Sequence, residues 1–137
     1  MASADAVLEI EGLTKVYRSL FTPAGVRAVD NLNLTVRQGE TYSIVGPNGS
    51  GKSTLLEILA GLTSPTAGTL LYRGRPVPEA PRAARLLAGQ VTLALQHPLM
   101  FRGTVRHNVE YGLRARGVGR RQARRRAERQ LKALGLL

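Results

Sequence analysis

Apolar and polar side chains alternate along the first part of the chain. Residues 7–11 read Val-Leu-Glu-Ile-Glu, and Leu32, Leu34 and Val36 are separated by Asn33 and Thr35. A period of two turns one face of a strand toward a core, so both stretches predict half-buried strands. Residues 19–25, with Pro23 and Gly25, predict a loop between them. Gln38-Gly39 marks a turn, and the β-rich residues 41–45 predict a strand running straight into Gly46.

The period then changes. Leu55, Leu56, Ile58, Leu59 and Leu62 recur at helical spacing, and Gly61 suits the end of that helix. A strand is expected at 69–72, a turn at 73–76 and a short helix at 81–88. A short strand at 91–95 ends at Gln96, where His97-Pro98 breaks it. Thr104 can cap a helix over 105–113, because its hydroxyl accepts one of the orphan backbone N–H groups. Gly117 and Gly119 punctuate, and Ala123, Ala127, Leu131 and Leu134 form an apolar stripe on a last, basic helix.

The segment between the expected strand at 41–45 and its helix carries the clearest chemistry. It reads Gly46-Pro47-Asn48-Gly49-Ser50-Gly51-Lys52-Ser53-Thr54 and matches the phosphate-binding pattern G-x-x-x-x-G-K-[ST]. The glycines let the backbone curl so that successive N–H groups point inward at phosphate oxygens. A helix starting near Gly51 adds the positive end of its dipole. Lys52 is placed to reach the β- and γ-phosphates, Ser53 to ligate Mg²⁺, and Thr54 to bond the α-phosphate. This is a site for the phosphates of a nucleoside triphosphate with Mg²⁺.

Composition narrows the remainder. The chain of 137 residues has no cysteine, which excludes disulfides, thiolate metal sites and a cysteine nucleophile. No signal sequence is read at the start, and no apolar run approaches the ~20 residues that span a bilayer, so direct membrane insertion is not expected. The net charge of +11 lies in one part of the molecule. Residues 1–80 hold equal numbers of acidic and basic side chains, while residues 81–137 hold thirteen basic ones against Glu110 and Glu128. Arg120, Arg121, Arg124, Arg125, Arg126 and Arg129 crowd the last helix, yet no aromatic interleaves with them, which disfavours nucleic acid. His97 and His107 have no neighbours at metal-ligand spacing and read as structural.

Taken together, residues 7–11, Tyr17, the strand at 32–36, Gly39-Glu40, the phosphate loop and its continuation through Gly61-Leu62 and Pro65-Thr66-Ala67-Gly68 resemble the ATP-binding-cassette (ABC) family. Gln96 resembles that family's Q-loop, and Thr104-Val105, Asn108-Val109 and Tyr111-Gly112-Leu113 extend the likeness over nearly the whole chain. The resemblance implies an α/β fold, a phosphate-loop nucleotide-binding domain in truncated form. It would comprise an antiparallel β subdomain, the loop strand and helix, and the start of a helical subdomain. Residues 1–137 would be one partial domain, with 1–96 as the ATP-binding core portion and 97–137 as the Q-loop exit and helical start.

The same resemblance implies ATP and Mg²⁺ as cofactors, Tyr17 stacking on adenine, and Gln96 touching Mg²⁺ or the attacking water beside Lys52. The groove around residues 96–101, ending at Phe101, would receive a transmembrane permease subunit. A second ATP-binding subunit would complete a dimer. The location would be cytoplasmic, peripheral on the inner face of the membrane. The run Gln96-His97-Pro98-Leu99-Met100-Phe101 is similar to that of importers for tungstate, molybdate or phosphate-like oxyanions.

The family's Leu-Ser-Gly-Gly-Gln signature, its Asp-Glu strand and its switch histidine do not occur in these residues. The chain alone is therefore expected to bind ATP without hydrolysing it efficiently. In the family, strands from the second half separate the strands expected at 41–45 and 91–95; without them, unpaired edges and a marginally stable or aggregation-prone piece are expected. A non-hydrolysing nucleotide-binding module fits the same residues. A GTPase lacks its Asn-Lys-x-Asp motif here, and a phosphate-loop kinase leaves Tyr17 and Gln96 unexplained.

Overall fold

The structure, a computed structural model, describes residues 5–19, 22–97 and 99–137. They form two compact units, Met1–Leu93 and Ala94–Leu137. In the first unit a long hairpin pairs β1 (Ala6–Ser19) with β2 (Thr22–Arg37). β3 (Ala67–Tyr72) pairs with the other edge of β1, and the short β4 (Arg75–Pro76) closes the order β2-β1-β3-β4, antiparallel throughout. The alternation at 7–11 and 32–36 thus marks the start of β1 and the end of β2, both longer strands. Residues 22–25, expected as loop, belong to β2, because pairs such as Val16 with Arg27 and Tyr17 with Val26 zip the hairpin toward its tip. Residues 20 and 21 lie outside the described set.

One face of this sheet is covered by α1 (Lys52–Leu59). Leu55 and Ile58 pack with Ile10, Leu13, Val29 and Leu70, flanked by Leu8, Leu32, Leu34, Leu59 and Val77. Ile58 is only 1% exposed, and its burial stabilises the unit by about 1.5–3 kcal/mol. Leu56 and Leu62, though in helical register, stay exposed. The helix ends in a Schellman closure: Leu62 N–H donates to Glu57 O and Gly61 N–H to Ile58 O, both at 2.9 Å. Gly61 holds φ 69° there, and a Cβ on it would sit 2.9 Å from the backbone of Ala83. Ala83 belongs to α2 (Arg82–Leu87), which buries Ala83 and Leu87.

Two expected strands are absent. Residues 41–45 are irregular, and Val45 is 91% exposed. Residues 91–95 contribute only a single parallel bridge, Val91 to Ala88. A strand's hydrogen bonds come from its neighbours, and no described strand runs beside either segment. Their β-rich composition cannot replace a partner.

In the second unit α3 (Val105–Ala115) packs on α4 (Arg120–Ala133). Thr104 caps α3 as expected, its hydroxyl accepting from the His107 N–H at 3.1 Å. Ala123, Ala127 and Leu131 are buried along α4, but Leu134 is 71% exposed, contrary to the predicted stripe. It is the C-cap residue, so it leaves the helical register that aligned the other three.

Candidate nucleotide-binding site

The sheet edge and the first turn of α1 shape the phosphate loop. Ser50 N–H donates to Pro47 O at 3.3 Å, closing a turn through Asn48 and Gly49. Gly51 is the N-cap of α1 in the left-handed region, φ 85°, and it has no side-chain cap for the first amides of the helix. A Cβ on Gly51 would collide with the carbonyl oxygen of Ala28 on β2. The glycine therefore serves twice: it supplies the backbone turn, and it lets the helix start press against the sheet. Gly46 is also tight, since a Cβ there would lie 2.7 Å from Ser50 Oγ.

Lys52 folds back over this loop. Its Nζ donates to Gly46 O at 2.8 Å and to Pro47 O at 2.7 Å, with Ser50 Oγ at 3.4 Å. The ammonium is thereby fixed within the loop by its own backbone carbonyls. Ser53 is exposed on the first turn and Thr54 is half-buried behind it. Cation, uncapped N–H groups and an exposed hydroxyl suit a polyphosphate with a divalent cation.

Tyr17 pairs with Val26, two residues from Ala28 along β2. The loop and the tyrosine thus converge on one short stretch of that strand. Tyr17 is partly exposed, and Lys15 Nζ stands over its ring, 5.1 Å from the centroid, while donating to Ser64 O at 2.6 Å. The one signal for Lys15 in the sequence is its place two positions before Tyr17, on the same strand face.

Gln96 lies in the second unit and is exposed, as are Leu99, Met100 and Phe101. Leu99 reaches 86% exposure, and Pro98 lies outside the described residues. Phe101 is fixed from α3: its N–H donates to Asn108 Oδ1 at 2.7 Å, its carbonyl accepts from Asn108 Nδ2 at 3.0 Å, and its ring lies 4.2 Å from that of Tyr111. Asn108 carried no such signal in the sequence, because its partner is seven residues back in an irregular segment. Among the described residues no group of three His, Cys, Asp or Glu could hold a metal, and neither histidine has a ligand set. Glu40 is engaged locally, accepting from Arg37 N–H at 2.7 Å.

Comparison with known proteins bears on this arrangement. The family model described as ABC transporter matches residues 29–137. The chain is 33% identical over 132 residues to the methionine import ATP-binding protein MetN of Geobacillus kaustophilus, covering 95% of this chain and 38% of that protein. It is 40% identical over 131 residues to the sn-glycerol-3-phosphate import ATP-binding protein UgpC of Chromohalobacter salexigens, covering 96% and 33%. A dimeric post-hydrolysis structure of the ATP-binding cassette MJ0796, bound to ADP and Pi, superposes with a TM-score of 0.80 at 28% identity, over 91% of this chain and 56% of that one. The chain therefore spans about a third to a half of the length of the proteins it matches.

Proposed function

The chain belongs to the ABC transporter family, and from that premise we propose that it is the ATP-binding portion of an import motor. The motor would couple ATP binding and hydrolysis to movement of a small solute. The observation that carries this reading is the Lys52 ammonium, held by Gly46 O and Pro47 O in the loop whose last glycine, Gly51, leaves the start of α1 without a side-chain cap. The likeness to two proteins named for import and to a cassette bound to ADP and Pi supports the direction and the nucleotide.

In this reading the amides of residues 49–54 and the Lys52 ammonium bind the phosphate chain. An arriving γ-phosphate oxygen takes the place of Ser50 Oγ, whose 3.4 Å contact is the longest that Lys52 makes. Gly46, Pro47, Asn48 and Gly49 form the wall of the loop. Tyr17 presents its free face to the adenine. Ser53 would hold Mg²⁺, which supplies neutralisation of phosphate charge when bound. The role of Gln96 toward Mg²⁺ or the attacking water is the one that the family resemblance implies. Efficient hydrolysis needs a signature segment and a carboxylate base that these residues do not include, so the chain by itself binds ATP and turns it over poorly.

Membership of the ABC transporter family implies a permease as partner; no helix among the described residues is long and apolar enough to cross a membrane. The exposed 99–101 segment beside Gln96 is assigned to that contact, with a second ATP-binding subunit across the nucleotide. We assign residues 1–96 to the ATP-binding core and 97–137 to the start of the helical subdomain, at the cytoplasmic face of the membrane. An oxyanion cargo is favoured by the run Gln96-His97-Pro98-Leu99-Met100-Phe101, with Asn108-Val109 and Tyr111-Gly112-Leu113. The two relatives described above are named for different cargoes, methionine and sn-glycerol-3-phosphate.

Calorimetric titration of the chain with Mg·ATP tests the reading. Lys52→Ala is expected to weaken binding at least tenfold. An affinity that stays within about twofold overturns the loop assignment.

A further inference from the structure

α4 has two dissimilar faces. Ala123, Ala127 and Leu131 are buried on one. At about 3.6 residues per turn, the opposite face carries Arg121, Gln122, Arg125, Arg129 and Lys132, all of them exposed. The two carboxylates of residues 81–137 are engaged to one side. Glu128 takes Arg124 at 2.9 Å and Arg106 at 3.5 Å, and Glu110 takes Arg106 at 3.5 Å. No salt bridge reaches Arg121, Arg125, Arg126 or Arg129 among the described residues. Arg121, Gln122, Arg125, Arg126 and Arg129 border one open groove on the helix surface.

We propose that this face of α4 is a docking surface for the headgroups of anionic phospholipids. Like charges spaced four residues apart on a helix repel one another, and a layer of fixed anions relieves that repulsion. The guanidinium fork matches phosphate oxygens two at a time. The row from Arg121 to Lys132 runs about 16 Å along the helix, long enough to meet several phosphates of a surface at once. The neutral balance of residues 1–80 confines the attraction to this part of the molecule. No aromatic stands among the arginines to stack on bases. The choice of phospholipid over nucleic acid rests on the transporter reading, which brings the chain to a membrane face, where basic segments are held by anionic lipid.

Flotation with vesicles of phosphatidylglycerol and phosphatidylcholine, against vesicles of phosphatidylcholine alone, tests the proposal at 0.1 M salt. The chain is expected to bind the anionic vesicles at least tenfold more tightly. The triple variant Arg121→Gln, Arg125→Gln, Arg129→Gln should lose about a hundredfold of that affinity. Glutamine is a good helix former, so circular dichroism should be unchanged. The control Arg75→Gln, Arg82→Gln, Arg85→Gln removes equal charge from exposed positions elsewhere and should retain binding within about threefold. Equal binding to both vesicles, or equal loss in both triple variants, overturns the proposal. So does duplex DNA that competes with the anionic vesicles at lower concentration than free phosphatidylglycerol vesicles do. ATP affinity, measured on the same samples, fails separately if the transporter reading is wrong.

Discussion

Asn108 grips the peptide of Phe101 from both sides, accepting its N–H at 2.7 Å and donating to its carbonyl at 3.0 Å, while also donating to Thr104 O at 3.1 Å. One amide side chain thereby ties an irregular apolar segment to α3, which itself buries no residue. Replacing Asn108 with Ala removes all three bonds, and at exposed positions this should cost about 1–2 kcal/mol. Hydrogen exchange at the Phe101 amide should accelerate strongly. Asn108→Asp keeps the acceptor for Phe101 N–H and should fall between the two; an Asp variant as labile as Ala would show that the acceptor bond contributes nothing.

Gly51 sits against Ala28 with φ 85°, where any Cβ meets the Ala28 carbonyl. Gly51→Ala should therefore lower the melting temperature and weaken Mg·ATP binding together, because strain and displacement of α1 act on the same loop. The expected loss exceeds about 1 kcal/mol, the ordinary penalty for a left-handed non-glycine residue. An unchanged melt would show that the loop does not rest on β2.

Tyr17 is assigned to the base, so its removal should distinguish nucleotide from phosphate. Tyr17→Ala is expected to weaken ATP binding by about three- to tenfold and to leave inorganic triphosphate binding unaltered. Tyr17→Phe keeps the ring and should bind ATP like the parent. Equal losses for ATP and triphosphate would place the tyrosine's effect in the fold instead.

The hydrogen bond from Arg124, reinforced by the charges of Arg124 and Arg106, holds the Glu128 carboxyl below its ordinary range and Arg124 still more firmly protonated. A carboxylate with a depressed folded value stabilises the folded state above its unfolded pKa and loses that contribution as pH falls through the folded one. Melts of the parent should decline below about pH 4.5 more than those of Glu128→Gln. The difference should shrink in high salt, since the pair is exposed. Parallel curves for the two proteins would remove Glu128 from the pH response.

Residues 41–45 leave Tyr42, Ile44 and Val45 exposed on an unpaired segment. Light scattering on warming should show concentration-dependent association, and Val45→Lys should delay it without changing the helical signal. A sharp, concentration-independent melt of a soluble monomer would oppose this.

The sequence by itself determined the elements whose bonds close locally. The ends of α1 at Gly61 and the start of α3 at Thr104 followed from capping chemistry that needs only neighbouring residues. The phosphate-loop pattern was legible for the same reason, since its spacing is local, whereas the contact of Lys52 with Gly46 O was seen only in the structure. Tertiary structure alone decided whether residues 41–45 and 91–95 become strands, because a strand's hydrogen bonds belong to its partner. It also decided the contacts between distant positions, Gly51 on Ala28 and Lys15 on Ser64. The extent of the hairpin, zipped by pairs from Ala6 with Arg37 to Ser19 with Thr22, was likewise set by pairing across the chain and not by the local alternation that first revealed it.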